Sequence, residues 1–262
     1  MIDTYLDESG IHDGAAICVV AGCYSGKGQF RKLEKAWLAS LRDYEFPLKD
    51  SHATDLLKSR RHQPMVQALA FAIGQQPEVY PVSFGIIVDD FNSFSEKQRR
   101  WFTGARLDEI KGNLRSTGSP NKPYFVPFQE CVRAVAEHAP VGGKAGYIVG
   151  QYALTLFKHI KERAEKPDPL TTWKSKDRVG NITALRASET PELQEADLLV
   201  HLTYQHMLER HAANDWNVQP SGLLAECMRN MRFLDEHTFL NRECLRERLE
   251  QSRAIVGNWD SA

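Results

Sequence analysis

Three acidic residues fall where simple folding does not call for them. Asp7 and Glu8 close the segment Ile2-Asp3-Thr4-Tyr5-Leu6, whose β-branched and aromatic residues read as a short strand, and Ser9-Gly10 then turn the chain. Asp and Glu are poor strand formers. Two of them at such an end mark either a solvated turn or a metal or general-base site facing a cleft. The third residue is Asp197. Pro191 suits the first turn of a helix, and Leu193, Ala196, Val200, Tyr204 and Met207 then recur at helical spacing. Asp197 falls inside that inward stripe, where a carboxylate is costly unless it is paired, hydrogen-bonded or bound to a cation. On the helix itself only His201, one turn on, offers a partner. The structural alternative is a hydrogen bond to a neighbouring loop amide. Glu192 is placed to reach the rim of such a site, and Glu195 is expected to face solvent.

Hard oxygen ligands from a strand end and a distant helix suit Mg2+ or Mn2+, which a few carboxylates, waters and substrate phosphates commonly bind. Two-metal phosphodiester chemistry needs little more from a protein than such carboxylates, held to stabilise the attacking and leaving oxygens. His52 adds to this set. It lies with Asp55 in the polar connection Asp50-Ser51-His52-Ala53-Thr54-Asp55-Leu56, as a site residue or as a loop hydrogen-bonding partner. A second kind of chemistry is suggested between Glu96 and Lys122, where basic residues outnumber acids and aromatics interrupt them. Lys97, Arg99, Arg100 and Trp101 suit a single-stranded nucleic acid, or else form a solvated helix with packing aromatics.

The remaining composition narrows the class. With 262 residues, 42% hydrophobic and 26% charged, the chain has the composition of a globular protein with a sizeable core. A net charge of −1 argues against a nucleic-acid-binding surface spread over the whole molecule. No apolar run is long enough to cross a membrane, and acidic residues stand where a secretory signal would be basic. Five cysteines without C-x-x-C spacing suggest reduced thiols and a cytoplasmic protein rather than a zinc site or disulfide frame.

The elements that must position these residues follow from periodicity. Ala15 to Tyr24 is an apolar run of strand length, forming a hairpin with the first strand. Helices are expected at about Gln29 to Asp43 and Gln63 to Gln75. A third strand spans Val79 to Val88, with Pro81 away from a fully paired position. A polar insertion at about 92–122 carries a short helix near Gly104 to Gly112. After a helix from Phe125 to His138, Ala145 to Val149 is a fourth strand, Tyr152 to Arg163 a helix and Asn181 to Ala187 a fifth strand. This alternation implies parallel pairing. Helices near Leu223 to Leu234 and Leu240 to Ile255 lie in an extension at about 212–262. The expectation is one α/β domain over 1–262, built on a mixed five-stranded sheet with helices on both faces and extra C-terminal helices.

Leu6-Asp7-Glu8-Ser9-Gly10, Ser51-His52-Ala53-Thr54-Asp55-Leu56 and Leu193-Gln194-Glu195-Ala196-Asp197-Leu198-Leu199 occur in this order over most of the chain. Together they resemble the bacterial and phage family called domain of unknown function 3800. The resemblance implies a ribonuclease H-like fold with strand one central, beside strand four. It makes Asp7 the metal ligand of strand one and Asp197 the acid of the C-terminal helix, with Glu8 and His52 at motif positions of unassigned role. One departure stands out. Members often carry an Asp at the end of strand four, where this chain reads Tyr147-Ile148-Val149-Gly150-Gln151. Gln151, Glu189 or Glu192 would have to substitute. The expected function is a Mg2+- or Mn2+-dependent nuclease or related phosphodiester hydrolase. The alternative is a catalytically impaired module that binds nucleic acid or a protein partner.

Overall fold

The computed structural model describes residues 1–26, 28–104, 106–108, 113–115, 121–150, 176–231 and 237–256. β1 (Ile2–Ser9) and β2 (Ile17–Gly26) form the expected antiparallel pair, with Ser9 opposite Val19. Gly10 turns the chain between them at φ +73°, where a β-carbon would lie 2.0 Å from the Ile17 carbonyl oxygen. Three helices follow: α1 (Phe30–Asp43), α2 (Ala53–Lys58) and α3 (Gln63–Gly74). β3 (Val79–Ile87) returns antiparallel to β2. Then come α4 (Val88–Asn92), α5 (Glu96–Gly104), β4 (Arg106–Asp108) and β5 (Asn113–Arg115). α6 (Phe125–His138), β6 (Ala145–Gly150), β7 (Val179–Leu185) and α7 (Pro191–Ala213) complete the part that holds the candidate residues. α8 (Gly222–Asn230), β8 (His237–Leu240) and α9 (Arg242–Val256) follow.

The main sheet has the order β7-β6-β1-β2-β3-β8. β6 runs parallel to β1, and β7 parallel to β6, so strand one lies centrally beside the fourth expected strand. The sheet has six strands, not five. His237–Leu240, whose last residue was expected to open a C-terminal helix, pairs parallel with β3 from Ser83 to Ile86. Four residues are too few to show a period, and only the free edge of β3 makes them a strand. The register also explains Pro81: β8 pairs only beyond it, so the missing N–H breaks no ladder on that side. The short helix expected near Gly104 to Gly112 is not formed over 106–108. Those residues pair antiparallel with 113–115, Leu107 opposite Leu114. The expected helix from Tyr152 to Arg163 and the residue Gln151 lie outside the described residues.

Strand alternation divides the core. Ile2, Leu6, Cys18, Val20 and Ile86 pack with Phe125, Phe128, Val132 and Val135 of α6. On the other face Ile17, Val19, Ala21 and Cys23 meet Leu33 and Trp37 of α1, Leu69 of α3 and Leu198 and Leu199 of α7. Each fully buried aliphatic side chain of this kind contributes about 1.5–3 kcal/mol over exposure. α7 lies against β1 and β2 while α1, α2, α3 and α8 enclose its outer side, and every residue from Leu193 to Val200 is buried. An all-round buried helix is the device that carries Asp197 into the interior.

Candidate functional site

β1 delivers two carboxylates to the end of the sheet. By alternation Glu8 follows Leu6 toward α6, and Asp7 follows Tyr5 toward α7. At the strand end they still meet: the half-buried pair shares a side-chain hydrogen bond, so one carboxyl donates to the other. Burial, and then the charges of Glu8 and Asp197, hold Asp7 well above the usual carboxylate range. Burial pushes Glu8 up to about 7, with the hydrogen bond from Asp7 pulling back and Asp197 adding to the rise.

β6 supplies the floor beside them. Leu6 pairs with Val149, which brings Gly150 level with Asp7. A β-carbon at 150 would lie 2.7 Å from Asp7 Oδ1 and 3.9 Å from Glu8 Oε2. The position that carries no acid in this chain is thus also one where any side chain would displace the Asp7 carboxylate.

α7 brings Asp197, 6% exposed, to the same place. The loop-amide hydrogen bond expected as the structural alternative is present. Asp197 Oδ2 accepts the Ala53 backbone N–H at 2.8 Å, as a loop amide partner, and lies 3.2 Å from His52 Nδ1. Burial raises the Asp197 ionisation, and His52 and the Ala53 amide pull it back. His201 is not the partner of Asp197. Its Nδ1 instead lies 3.4 Å from Thr54 Oγ1, and burial, then His52 and Lys58, lower its pKa. The structure therefore gathers Asp7, Glu8, Asp197 and His52, four residues from three separate segments.

Glu192 is placed in a different group. Its acidic neighbours are Glu34 and Glu195, and the three lie near Tyr5. Glu195 does not face solvent as expected. It is 0% exposed, and neither carboxylate oxygen has a hydrogen-bond partner among the described residues. Burial, then Glu192 and Glu34, hold it well above the usual carboxylate range. A one-sided stripe was the wrong picture for a helix covered on all sides.

The basic stretch is partly committed to its own fold. Arg100 pairs with Glu96 at 2.7 Å and Arg99 donates to Asn92 Oδ1 at 3.1 Å, while Trp101 packs on the core beside buried Phe102. Two residues that periodicity did not single out also border the site. Tyr124 is buried, and burial followed by the charges of Glu8, Cys18 and Asp7 raises its phenol. Gln194 lies one turn before Asp197 on the same helix face, which is the sequence signal that marks it.

The donor set suits a hard cation. Asp7, Glu8 and Asp197 lie within electrostatic reach of one another: after burial, the charges of Glu8 and Asp197 raise Asp7, and that of Asp197 raises Glu8. Among the described residues no three His, Cys, Asp or Glu side chains converge closely enough to hold an ion together. Mg2+ typically takes only one or two carboxylates, with water and substrate oxygens completing its shell, and Asp7 with Asp197 fits that pattern.

Compared with models of known protein families the chain matches none, and it matches no curated protein. Among solved structures it is similar to one described as Bst-RNase HIII in complex with Mn2+. The identity is 15%, the match covers 97% of this chain and 70% of that chain, and the TM-score is 0.37. The fold class stands on the sheet: a mixed α/β architecture with β1 central beside β6, as expected, extended by β8. Among the described residues no helix is long and apolar enough to cross a membrane.

Proposed function

We propose that this chain is a divalent-metal-dependent nuclease or related phosphodiester hydrolase, akin to the domain of unknown function 3800 proteins it resembles. The observation that carries this is the electrostatic coupling of Asp7, at the end of the central strand, to Glu8 and Asp197, with His52 Nδ1 3.2 Å from Asp197. Asp7 and Asp197 hold Mg2+ or Mn2+. Such an ion, when bound, neutralises charge on the phosphodiester and lowers the pKa of a bound water. Glu8 fixes the Asp7 carboxyl through their shared hydrogen bond. His52, 63% exposed beyond its contact with Asp197, orients a phosphate oxygen or a water from the solvent side. Gly150 leaves the Asp7 carboxylate its room.

A second reading has two observations in its favour. β6 ends on Gly150 rather than on an acid, and no three metal-binding side chains converge among the described residues. This favours an impaired module of the same fold that binds nucleic acid or a protein through surfaces such as Lys97, Arg99, Arg100 and Trp101.

Cleavage of end-labelled single-stranded DNA, RNA and a hybrid duplex in Mn2+, with Asp7→Asn beside the wild type, separates the two. Cleavage lost in the variant, together with Mn2+ binding that disappears in Asp197→Asn, supports the hydrolase and names its substrate. No cleavage, and no Mn2+ uptake at millimolar ion, overturns it in favour of the binding module.

A further inference from the structure

Gln194 is 3% exposed and uses both ends of its amide. Its Oε1 accepts from Trp37 Nε1 at 3.3 Å and from Ser51 Oγ at 2.5 Å, and its Nε2 donates to the Leu48 carbonyl at 2.6 Å. Trp37 is itself fully buried on α1. The amide oxygen thus ties Trp37 in the helical layer to Ser51, and the amide nitrogen grips the turn Leu48–Asp50. Within that segment the remaining hydrogen bonds are local: Asp50 N–H to the Pro47 carbonyl, Ser51 N–H to the Leu48 carbonyl, and the Ser51 hydroxyl, which shares its proton between Gln194 and the Leu48 carbonyl at 2.7 Å. Among the described residues, Gln194 and Asp197 are the points at which the segment from Leu48 to Ala53 is hydrogen-bonded to α7.

We infer that Gln194 is a positioning residue for the candidate centre: it fixes Leu48 to Ser51 so that His52 and the Ala53 N–H meet Asp197. An amide suits the task because it donates and accepts at once. A carboxylate could not donate to the Leu48 carbonyl. An apolar residue would leave the Trp37 N–H, the Ser51 hydroxyl and the Leu48 carbonyl without this partner. The inference deepens the proposed function, on which only its activity readout depends.

The test is amide hydrogen exchange at Ala53 in Gln194→Leu and in the milder Ser51→Ala, referred to Val200 and Leu202 in α7 of the same protein. Ala53 exchange accelerates by roughly tenfold relative to those amides, the size expected for losing one buried hydrogen bond. In Mn2+ the kcat for nucleic-acid cleavage falls by a similar factor, with KM little changed. Should Gln194→Leu fail to fold, Ser51→Ala decides. Ala53 protection equal to wild type overturns the inference, as does protection lost evenly along the whole chain. A wild-type protein that neither cleaves nor takes up Mn2+ removes the nuclease proposal instead, while exchange at Ala53 still decides the role of Gln194.

Discussion

Replacing Glu8 by Gln removes a titrating group whose ionisation this fold opposes. In the folded chain that ionisation moves from an ordinary 4.5 to about 7, chiefly through burial. A group raised in this way binds more protons folded than unfolded. Its contribution to stability is therefore full below about pH 4.5 and is lost as pH rises through about 7. The full displacement corresponds to about 3 kcal/mol, and solvent reaching the half-buried pair reduces it to about 1–3 kcal/mol between pH 5 and pH 8. Asp7 and Asp197 are raised as well, so they act in the same direction. Glu195 does too, and the difference between wild type and Glu8→Gln isolates the site. The assay is urea denaturation in excess chelator at both pH values. Wild type loses stability toward pH 8; Glu8→Gln loses less and is the more stable protein there. Millimolar Mn2+ offsets the loss in wild type, because an ion bound only by the folded state stabilises it by mass action. Wild-type stability that is flat or rising from pH 5 to 8 in chelator would refute the reasoning, as would an equal fall in Glu8→Gln.

Two further outcomes follow from named contacts. Gly150→Ala places a β-carbon 2.7 Å from Asp7 Oδ1, so the carboxylate must swing aside. Calorimetry should show Mn2+ affinity reduced about tenfold or more while the urea midpoint barely moves, and an unchanged isotherm would count against Asp7 as a ligand. Glu195→Met replaces a buried, unpartnered acid by an apolar side chain of similar reach. The variant should gain about 1–3 kcal/mol, more at pH 8 than at pH 5, because the wild-type fold must keep that carboxyl protonated; a loss in urea denaturation would mean Glu195 has a partner.

Much of the frame was legible because it rests on short-range pattern. The apolar runs of β1, β2 and β3 and the amphipathic period of α1 each show their period within their own length. Asp7 and Asp197 stood out because each is an acid in an apolar context, and the structure brings them within electrostatic reach. A loop-amide partner for Asp197 was foreseen as an alternative, but that His52 and Ala53 supply the contacts was not legible, since nothing local links that loop to a helix so far along the chain. Glu195 was misjudged for a related reason. A helical period identifies one inward face, and only the packing of several helices around α7 removes the outward one. β8 is strand-like only because β3 offers an unpaired edge.

The pairing of Leu6 with Val149 also bears on how the chain is made. β1 can pair with β2 as soon as both are made, but its other edge has no partner until β6 emerges, and α7 follows later still. Until then Asp7 and Glu8 sit on an open strand edge, without Asp197. That edge is a template for unwanted pairing, and two charged residues near its end are a form of protection. Under the proposed activity, hydrolytic capacity arrives only once α7 has been made. A nascent copy that lacks α7 therefore cannot act on the nucleic acids crowded around the ribosome.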